Sequence, residues 1–174
     1  PRTGALRMLT HSDGSVSYKH PSEMKGQVLA HAEPKGAQEP LADLVALDPG
    51  RGGERNLTAS PDSDERHPFY NAKVDLVAFH AEEGGDKNLW LGTPDFEHRV
   101  QLTFYGKPAQ SPSWSPDGRT LYFVKKGARP AEGEPYYICS YATLALAEDS
   151  AAAYPGLAAS LREQGLDVHG ESYD

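Results

Sequence analysis

The sequence has few of the residues on which several classes of site depend. Its 174 residues include a single cysteine, Cys139, which excludes an internal disulfide, a cysteine zinc site and a haem-attachment motif. Basic residues are also scarce, because 17 Lys and Arg stand against 25 Asp and Glu, for a net charge of −8. An acidic chain is poorly suited to bind a nucleic-acid backbone, so we expect no nucleic-acid partner.

Long apolar runs and familiar site motifs are missing as well. No run approaches the roughly 20 apolar residues that a membrane-spanning helix requires, so no membrane span is predicted. The sequence has no G-x-S-x-G motif, no phosphate-binding P-loop and no dinucleotide fingerprint. The glycine-rich residues 50–53 lie between two predicted strands rather than before a helix, which indicates a hairpin connection. We therefore predict no catalytic residue and no cofactor.

Turn-forming residues, in contrast, are abundant. The 17 Gly and 14 Pro are typical of all-β folds with many short strands. The clearest hairpin lies in residues 111–127, where Trp114 ends one extended run, Ser-Pro-Asp-Gly forms a turn and Leu-Tyr-Phe-Val opens a second run. Proline presets φ for the first central position of a turn, and glycine accepts a positive φ without steric cost. Residues 111–114 and 121–124 are therefore predicted to pair as antiparallel strands.

A similar order of residues recurs along the chain. Leu-Thr pairs preceded by an arginine begin at Leu9, Leu57 and Leu102, which are 48 and then 45 residues apart. Residues 67–79 match residues 111–123 at a shift of 44, with proline on proline and aromatic on aromatic. These spacings are close to the length of one four-stranded β-propeller blade. We predict the end of one blade at residues 1–10 and blade-like units at about 14–58, 64–103 and 109–147.

Further strands are predicted where β-branched and aromatic residues crowd, at residues 16–18, 28–33, 44–47, 75–79, 89–91 and 136–141. The hairpin turn of the first unit is predicted at residues 21–26. Residues 60–65 hold three carboxylates and two hydroxyls, but the order of an EF-hand and its glycine are absent. We therefore interpret this segment as a solvated loop between blades rather than a calcium site.

The composition changes from about residue 148. The tail at 148–174 holds six acidic residues against one basic residue. Residues 151–164 are rich in Ala and Leu, with Leu157 and Leu161 on one helical face and Gly165 in position to cap the end. A short C-terminal helix is predicted there.

Residue by residue, the segment 111–127 resembles the repeat of TolB-type, WD-repeat-like β-propellers, whose blades carry a P-S-W-S-P-D-G-[KR] turn before a buried strand. The resemblance implies an all-β chain of radially arranged antiparallel blades, here an incomplete propeller of about three blades with a short C-terminal helix. Closed propellers typically have four to eight blades. Three explanations of the low blade number remain open. The chain could be a fragment of a longer propeller, its ring could be completed by a second copy or a different partner, or the motif could form an open sandwich.

The same resemblance implies a rigid platform whose loops bind proteins, peptides or small ligands, in a periplasmic or extracellular location. Because no catalytic constellation is visible, the favoured interpretation is a non-catalytic binding or scaffold module. It would act in protein-protein interaction, with another protein or a second copy of the chain as its partner, or as an accessory subunit of a larger assembly. The alternatives are the propeller portion of a prolyl-oligopeptidase-like serine peptidase and a metal-dependent oligouronide lyase.

Seven histidines raise the question of a metal site, although no pair has the i, i+4 spacing of a zinc-binding helix. His67 and His80 flank one predicted hairpin, and His20 and His31 flank the corresponding one. Some pectate-fragment lyases resemble this chain in combining a propeller of this repeat type with metal-binding histidines in the central channel. On that resemblance His20 and His67 are the first candidates. The favoured interpretation is that they are polar blade residues or caps, so no metal ligand is predicted.

Overall fold

The computed structural model describes residues 8–10, 13–104, 108–126 and 136–142. Within these ranges the chain forms eleven strands in three antiparallel sheets and no helix. The first sheet contains β1 (Val16–Met24), β2 (Gln27–Pro34), β3 (Asp43–Leu47) and β4 (Glu54–Asn56). The second contains β5 (Ser63–Asn71), β6 (Leu76–Glu83), β7 (Asp86–Gly92) and β8 (Arg99–Gln101). The third contains β9 (Ala109–Trp114), β10 (Thr120–Lys126) and β11 (Tyr136–Ala142).

The sheets follow one another in chain order and meet along their first strands. Strand β5 packs on β1, β2 and β3 of the first sheet, and β9 packs on β5, β6 and β7 of the second. The first strands therefore lie together at the centre, while β4, whose three residues are all exposed, lies at the periphery. This arrangement confirms the predicted all-β architecture of radially arranged antiparallel sheets.

The core between the first two sheets consists of side chains from alternating positions of neighbouring strands, as expected for strands with two faces. Its buried members are Met24, Leu29, Leu44, Ala46, Val77, Phe79 and Ala81. Phe79 is its largest side chain and is fully buried, with the rings of Trp90 and Phe96 at centroid distances of 6.4 and 5.5 Å. Burial of this apolar face holds the first sheet on the second.

The predicted hairpin of residues 111–127 is confirmed. Leu121 of β10 pairs with Trp114 of β9, and the Gly118 amide donates to the carbonyl of Ser115 at 2.9 Å. Gly118 has φ +74°, and a Cβ at this position would lie 2.7 Å from a methyl group of Val74. The turn therefore needs glycine both for its backbone and for its close approach to the second sheet.

The repeated Leu-Thr pair completes the first and second sheets after their last strands have ended. In the second sheet, the Leu102 amide donates to the carbonyl of Leu89 at 2.7 Å, and the Leu89 amide donates to Thr103 Oγ1 at 2.9 Å. The Thr103 hydroxyl in turn donates to Asn88 Oδ1 at 3.1 Å. In the first sheet the equivalent bonds join Leu57, Leu44, Thr58 and Asp43. The threonine hydroxyl thus accepts the strand's amide hydrogen bond in place of a backbone carbonyl. This role explains why the Leu-Thr pair recurs.

Replacing Thr103 with valine is expected to lower the free energy of unfolding by about 1–3 kcal/mol, because the Leu89 amide and Asn88 Oδ1 lose their partner in a buried site. Thr103→Ser keeps the hydroxyl and should cost about 1 kcal/mol or less. Urea denaturation of both variants tests the prediction. Equal losses for valine and serine would contradict the prediction, since only serine keeps the hydroxyl.

Two predicted loops are wrong in part. The predicted turn at residues 21–26 is confined to Lys25 and Gly26, since residues 21–24 continue β1 beyond a register shift that accommodates the proline. The predicted solvated loop at residues 60–65 ends before Ser63, where β5 begins. Glu65 is fully buried because Arg99 of β8 neutralises it, with Nη1 at 3.3 Å from Oε1.

The predicted C-terminal helix and acidic tail lie outside the described residues, as do residues 1–7 of the predicted first blade end. The extent of the predicted units as domains therefore stays a prediction. The described ranges contain no helix that is long and apolar enough to cross a membrane.

Candidate functional site

The first strand of every sheet bends at a bulge formed by a residue and the proline that follows it. The bulged residues are His20, His67 and Ser111, with φ values of +53°, +52° and +54°. Strand pairing shifts register at each of these points. Positive φ is uncommon outside glycine and costs free energy, so it persists only where surrounding contacts impose it. Three equivalent strained positions therefore lie next to one another on the central strands.

A histidine of the preceding sheet accepts the bulge amide in two of these positions. The backbone N–H of His67 donates to His31 Nδ1, and the backbone N–H of Ser111 donates to His80 Nδ1, both at 3.3 Å. His31 and His80 occupy equivalent places in β2 and β6, and each is 1% exposed. Because Nδ1 accepts a hydrogen bond, each neutral ring carries its proton on Nε2. The two bonds join consecutive sheets close to the centre.

The imidazole rings of His20, His31, His67 and His80 form one group, which we call the histidine cluster. The His20 and His67 ring centroids are 3.7 Å apart, and those of His67 and His80 are 4.8 Å apart. His31 lies 5.1 Å from His20 and 5.7 Å from His67. Such close rings favour the neutral state, since two imidazolium ions at these distances would repel each other.

The surroundings also favour neutral imidazoles. Burial, together with smaller effects of the neighbouring rings and of Arg66, lowers the pKa of His31 and of His67 to about 4. Burial places the pKa of His80 still lower. The pKa of His20 is lowered less strongly, again mainly by burial. At neutral pH the whole cluster is therefore uncharged.

Three cations surround the cluster, and carboxylates partner each of them. Lys19 pairs with Glu33, Arg66 pairs with Asp64 at 2.7 Å and Glu33 at 3.2 Å, and Lys87 pairs with Glu82 at 3.2 Å. The Arg66 side chain also donates to the carbonyl of Pro40 at 3.1 Å and so reaches from β5 to the first sheet. The site is thus a group of uncharged rings enclosed by ion pairs, and the Arg66–Glu33 pair among them joins the second sheet to the first.

The histidine cluster does not fit a metal ion. Among the described residues, no three His, Cys, Asp or Glu side chains are placed to hold one. His20 and His67, the candidates implied by the lyase resemblance, are brought together, but in ring-to-ring contact. His31 Nε2 carries the ring proton and is buried without a hydrogen-bond partner in the described part of the chain. A protonated ring nitrogen has no lone pair to offer a metal ion. We derive no metal chemistry from this site.

No family model matches the sequence, and no curated protein matches it. Solved structures are similar in fold. The acylaminoacyl peptidase of Pyrococcus horikoshii has a TM-score of 0.53 and 15% identity over 68% of this chain and 18% of its own. An acylaminoacyl peptidase in complex with Z-Gly-Gly-Phe-chloromethyl ketone has a TM-score of 0.54 and 16% identity over 68% and 19%. A putative TolB from Agrobacterium tumefaciens has a TM-score of 0.52 and 16% identity over 75% and 58%.

The fold is an incomplete β-propeller. The chain spans less than a fifth of the length of the two peptidases and 58% of the TolB structure. At 15–16% identity these likenesses concern the fold alone. They agree with the radial sheets and with the repeat that the sequence shows.

Sequence reasoning placed His20 and His67 near the centre but missed what His31 and His80 do. The signal was present, because residues 28–33 align with residues 77–82 and put the two histidines at the same position. Of the other histidines, His98 is exposed at the end of the β7–β8 loop, and His11 and His169 lie outside the described residues.

Proposed function

We propose that this TolB-like chain is a non-catalytic binding or scaffold module that acts outside the cytoplasm. Its partner, a second copy or another protein, supplies a β-sheet of the same repeat type that packs on the third sheet. The observation that supports this proposal is the exposure of Tyr122 on the face of the third sheet that points away from the second sheet. In a closed propeller the next sheet packs on the corresponding face of every sheet.

The two faces of β10 differ sharply. Leu121 and Phe123 are 0% and 2% exposed and lie on the same side as Trp114, whose Nε1 donates to the carbonyl of Phe69 in the second sheet at 2.8 Å. Tyr122 alternates with them, lies on the opposite side and is 44% exposed. Its large aromatic surface is of the kind that anchors protein interfaces.

Comparison with β6 shows what covers such a face. Ala78 and His80 occupy in β6 the positions that Tyr122 and Val124 occupy in β10, as judged by their pairing with the first strand. Ala78 and His80 are 0% and 1% exposed because the third sheet lies over them. We therefore infer that the equivalent surface of the third sheet would pack against a further blade in the same way.

Sedimentation and light scattering of the purified protein test the proposal. We expect a mass above 18.9 kDa, or an assembly with an added partner, that is lost in Tyr122→Arg. Leu41→Arg is the matched control, because Leu41 is similarly exposed, at 42%, but lies in the β2–β3 connection. A stable monomer that unfolds cooperatively and is unaffected by Tyr122→Arg would contradict the proposal.

The second candidate is the propeller portion of a serine peptidase. Two of the similar structures are acylaminoacyl peptidases, of which this chain covers 18% and 19%. In that case the hydrolase would lie elsewhere in a longer polypeptide. A downstream G-x-S-x-G motif in the complete reading frame would favour this candidate, and its absence there would favour the binding module.

A further inference from the structure

We propose that the histidine cluster is a pH-dependent latch between consecutive sheets, closed at neutral pH and open in acid. The latch consists of the two bonds in which His31 and His80 accept the bulge amides of His67 and Ser111. It goes beyond the binding role proposed above and does not depend on it.

Protonation removes the acceptor on which each bond depends. A neutral imidazole with its proton on Nε2 accepts at Nδ1, whereas an imidazolium ion donates at both nitrogens and accepts at neither. Once His31 or His80 binds a second proton, its Nδ1–H faces the N–H of His67 or Ser111. Donor then meets donor in a buried site, which converts an attraction between sheets into a repulsion.

Crowding couples the histidines to one another. The four rings lie within 3.7 to 5.7 Å of their neighbours, so a charge on one ring disfavours a charge on the next until the sheets move apart. Separation restores water around the rings and allows them to take up protons together. As the pH falls, the fraction of open molecules is thus expected to rise more steeply than the protonated fraction of one isolated histidine would.

The charged groups around the cluster come from every strand that packs on it except β9. Lys19 lies on β1, Glu33 on β2, Asp64 and Arg66 on β5, Glu82 on β6 and Lys87 on β7, and β9 contributes the uncharged Gln110 and Ser111. The three cations oppose further positive charge. The pKa of Glu33, which pairs with Lys19 and Arg66, is lowered mainly by the hydrogen bond from Lys19, so these two ion pairs resist acid longer than pairs with a free glutamate would.

The apolar core limits how far the opening extends. Leu29 and Phe79 are fully buried between the first two sheets, farther along the same strands, and their contact does not titrate. We therefore expect the sheets to part at the bulges while the core remains packed. Local opening of this kind precedes global unfolding in many proteins.

Amide hydrogen exchange of the intact protein, followed by NMR, tests the latch. Between pH 7 and pH 4.5 the protection factors of the His67 and Ser111 amides should fall about tenfold or more. The Leu102 amide, which donates to the Leu89 carbonyl at 2.7 Å, serves as the internal control and should change much less. Equal losses at all three amides would mean global unfolding and would overturn the proposal.

A pair of double variants distinguishes the latch from simple packing. Asparagine Oδ1 can occupy the place of Nδ1 and accept the same bond without titrating, so His31→Asn with His80→Asn should keep both amides protected at pH 4.5. His31→Leu with His80→Leu removes the acceptors and should leave them unprotected at every pH. A double asparagine variant as acid-sensitive as the wild type would refute the latch.

The wild-type protein provides a second measurement in case the variants do not fold. The ¹⁵N shifts of the imidazole nitrogens report both tautomer and protonation. We expect the Nε2–H form of His31 and His80 at pH 7 and no titration of either ring above about pH 5. A Nδ1–H tautomer, or titration near the ordinary value of about 6.5, would overturn the proposal.

Discussion

Replacing Phe79 with alanine is expected to lower the free energy of unfolding by about 3–5 kcal/mol. Phe79 is fully buried at the contact of the first and second sheets, and the rings of Trp90 and Phe96 pack against it. The alanine would leave a cavity. Strand β6 is hydrogen-bonded to β5 on one side and to β7 on the other, so the three strands cannot move separately to fill it. Since domains of this size are stable by about 5–15 kcal/mol, the variant should unfold at a much lower urea concentration.

Phe69→Ala is the matched control. This phenylalanine lies on the neighbouring strand, but it is 40% exposed, and its main interaction across sheets is made by its carbonyl, which accepts from Trp114 Nε1. Truncating its side chain should cost about 1 kcal/mol or less. If the two alanine variants lose similar stability, the core is not where the structure places it.

Acid is expected to destabilise the protein steeply between pH 6.5 and pH 5. The pKa of His31 and of His67 is lowered to about 4 in the folded state, against about 6.5 in the unfolded chain. The unfolded state therefore binds more protons in this range, and stability present above pH 6.5 is lost as the pH falls toward 4. Allowing for the partial exposure of His67, we expect a loss of about 2–4 kcal/mol between pH 7 and pH 5.

Urea denaturation at a series of pH values measures this loss. The range above pH 5 is chosen because the carboxylates with lowered pKa values, such as Glu33 and Asp75, destabilise the fold only at lower pH. His31→Asn should reduce the slope of stability against pH, because asparagine does not titrate in this range. A flat profile from pH 7 to pH 5 would show that the cluster is not held neutral.

Local chemistry explains which parts of the fold could be predicted from sequence. The strands at residues 75–79 and 121–124 are rich in residues that favour strands, and the turn before β10 is specified by its own proline, aspartate and glycine. These signals act within a few residues, so β6 and β10 were predicted at nearly their observed positions. The repeat spacing then indicated the radial arrangement.

Features that depend on distant partners could not be predicted. The positive φ of His20 contradicts ordinary residue preferences, and the turn predicted at residues 21–26 was wrong in part because β1 continues past this bulge. Glu65 is buried only because Arg99, 34 positions later in the sequence, reaches its carboxylate. The acceptor role of His80 likewise requires the neighbouring sheet to bring Ser111 to it.

The prolines of the three bulges also decide how the chain can associate. Strands β1, β5 and β9 are each the outermost member of their sheet on the central side, and Pro21, Pro68 and Pro112 lie within them. A proline offers no N–H to an approaching strand, and a bulge disrupts the regular spacing that strand addition requires. The central edges of the three sheets are therefore poorly suited to strand addition, so pairing of another chain at these edges is disfavoured while face-to-face stacking of sheets remains open.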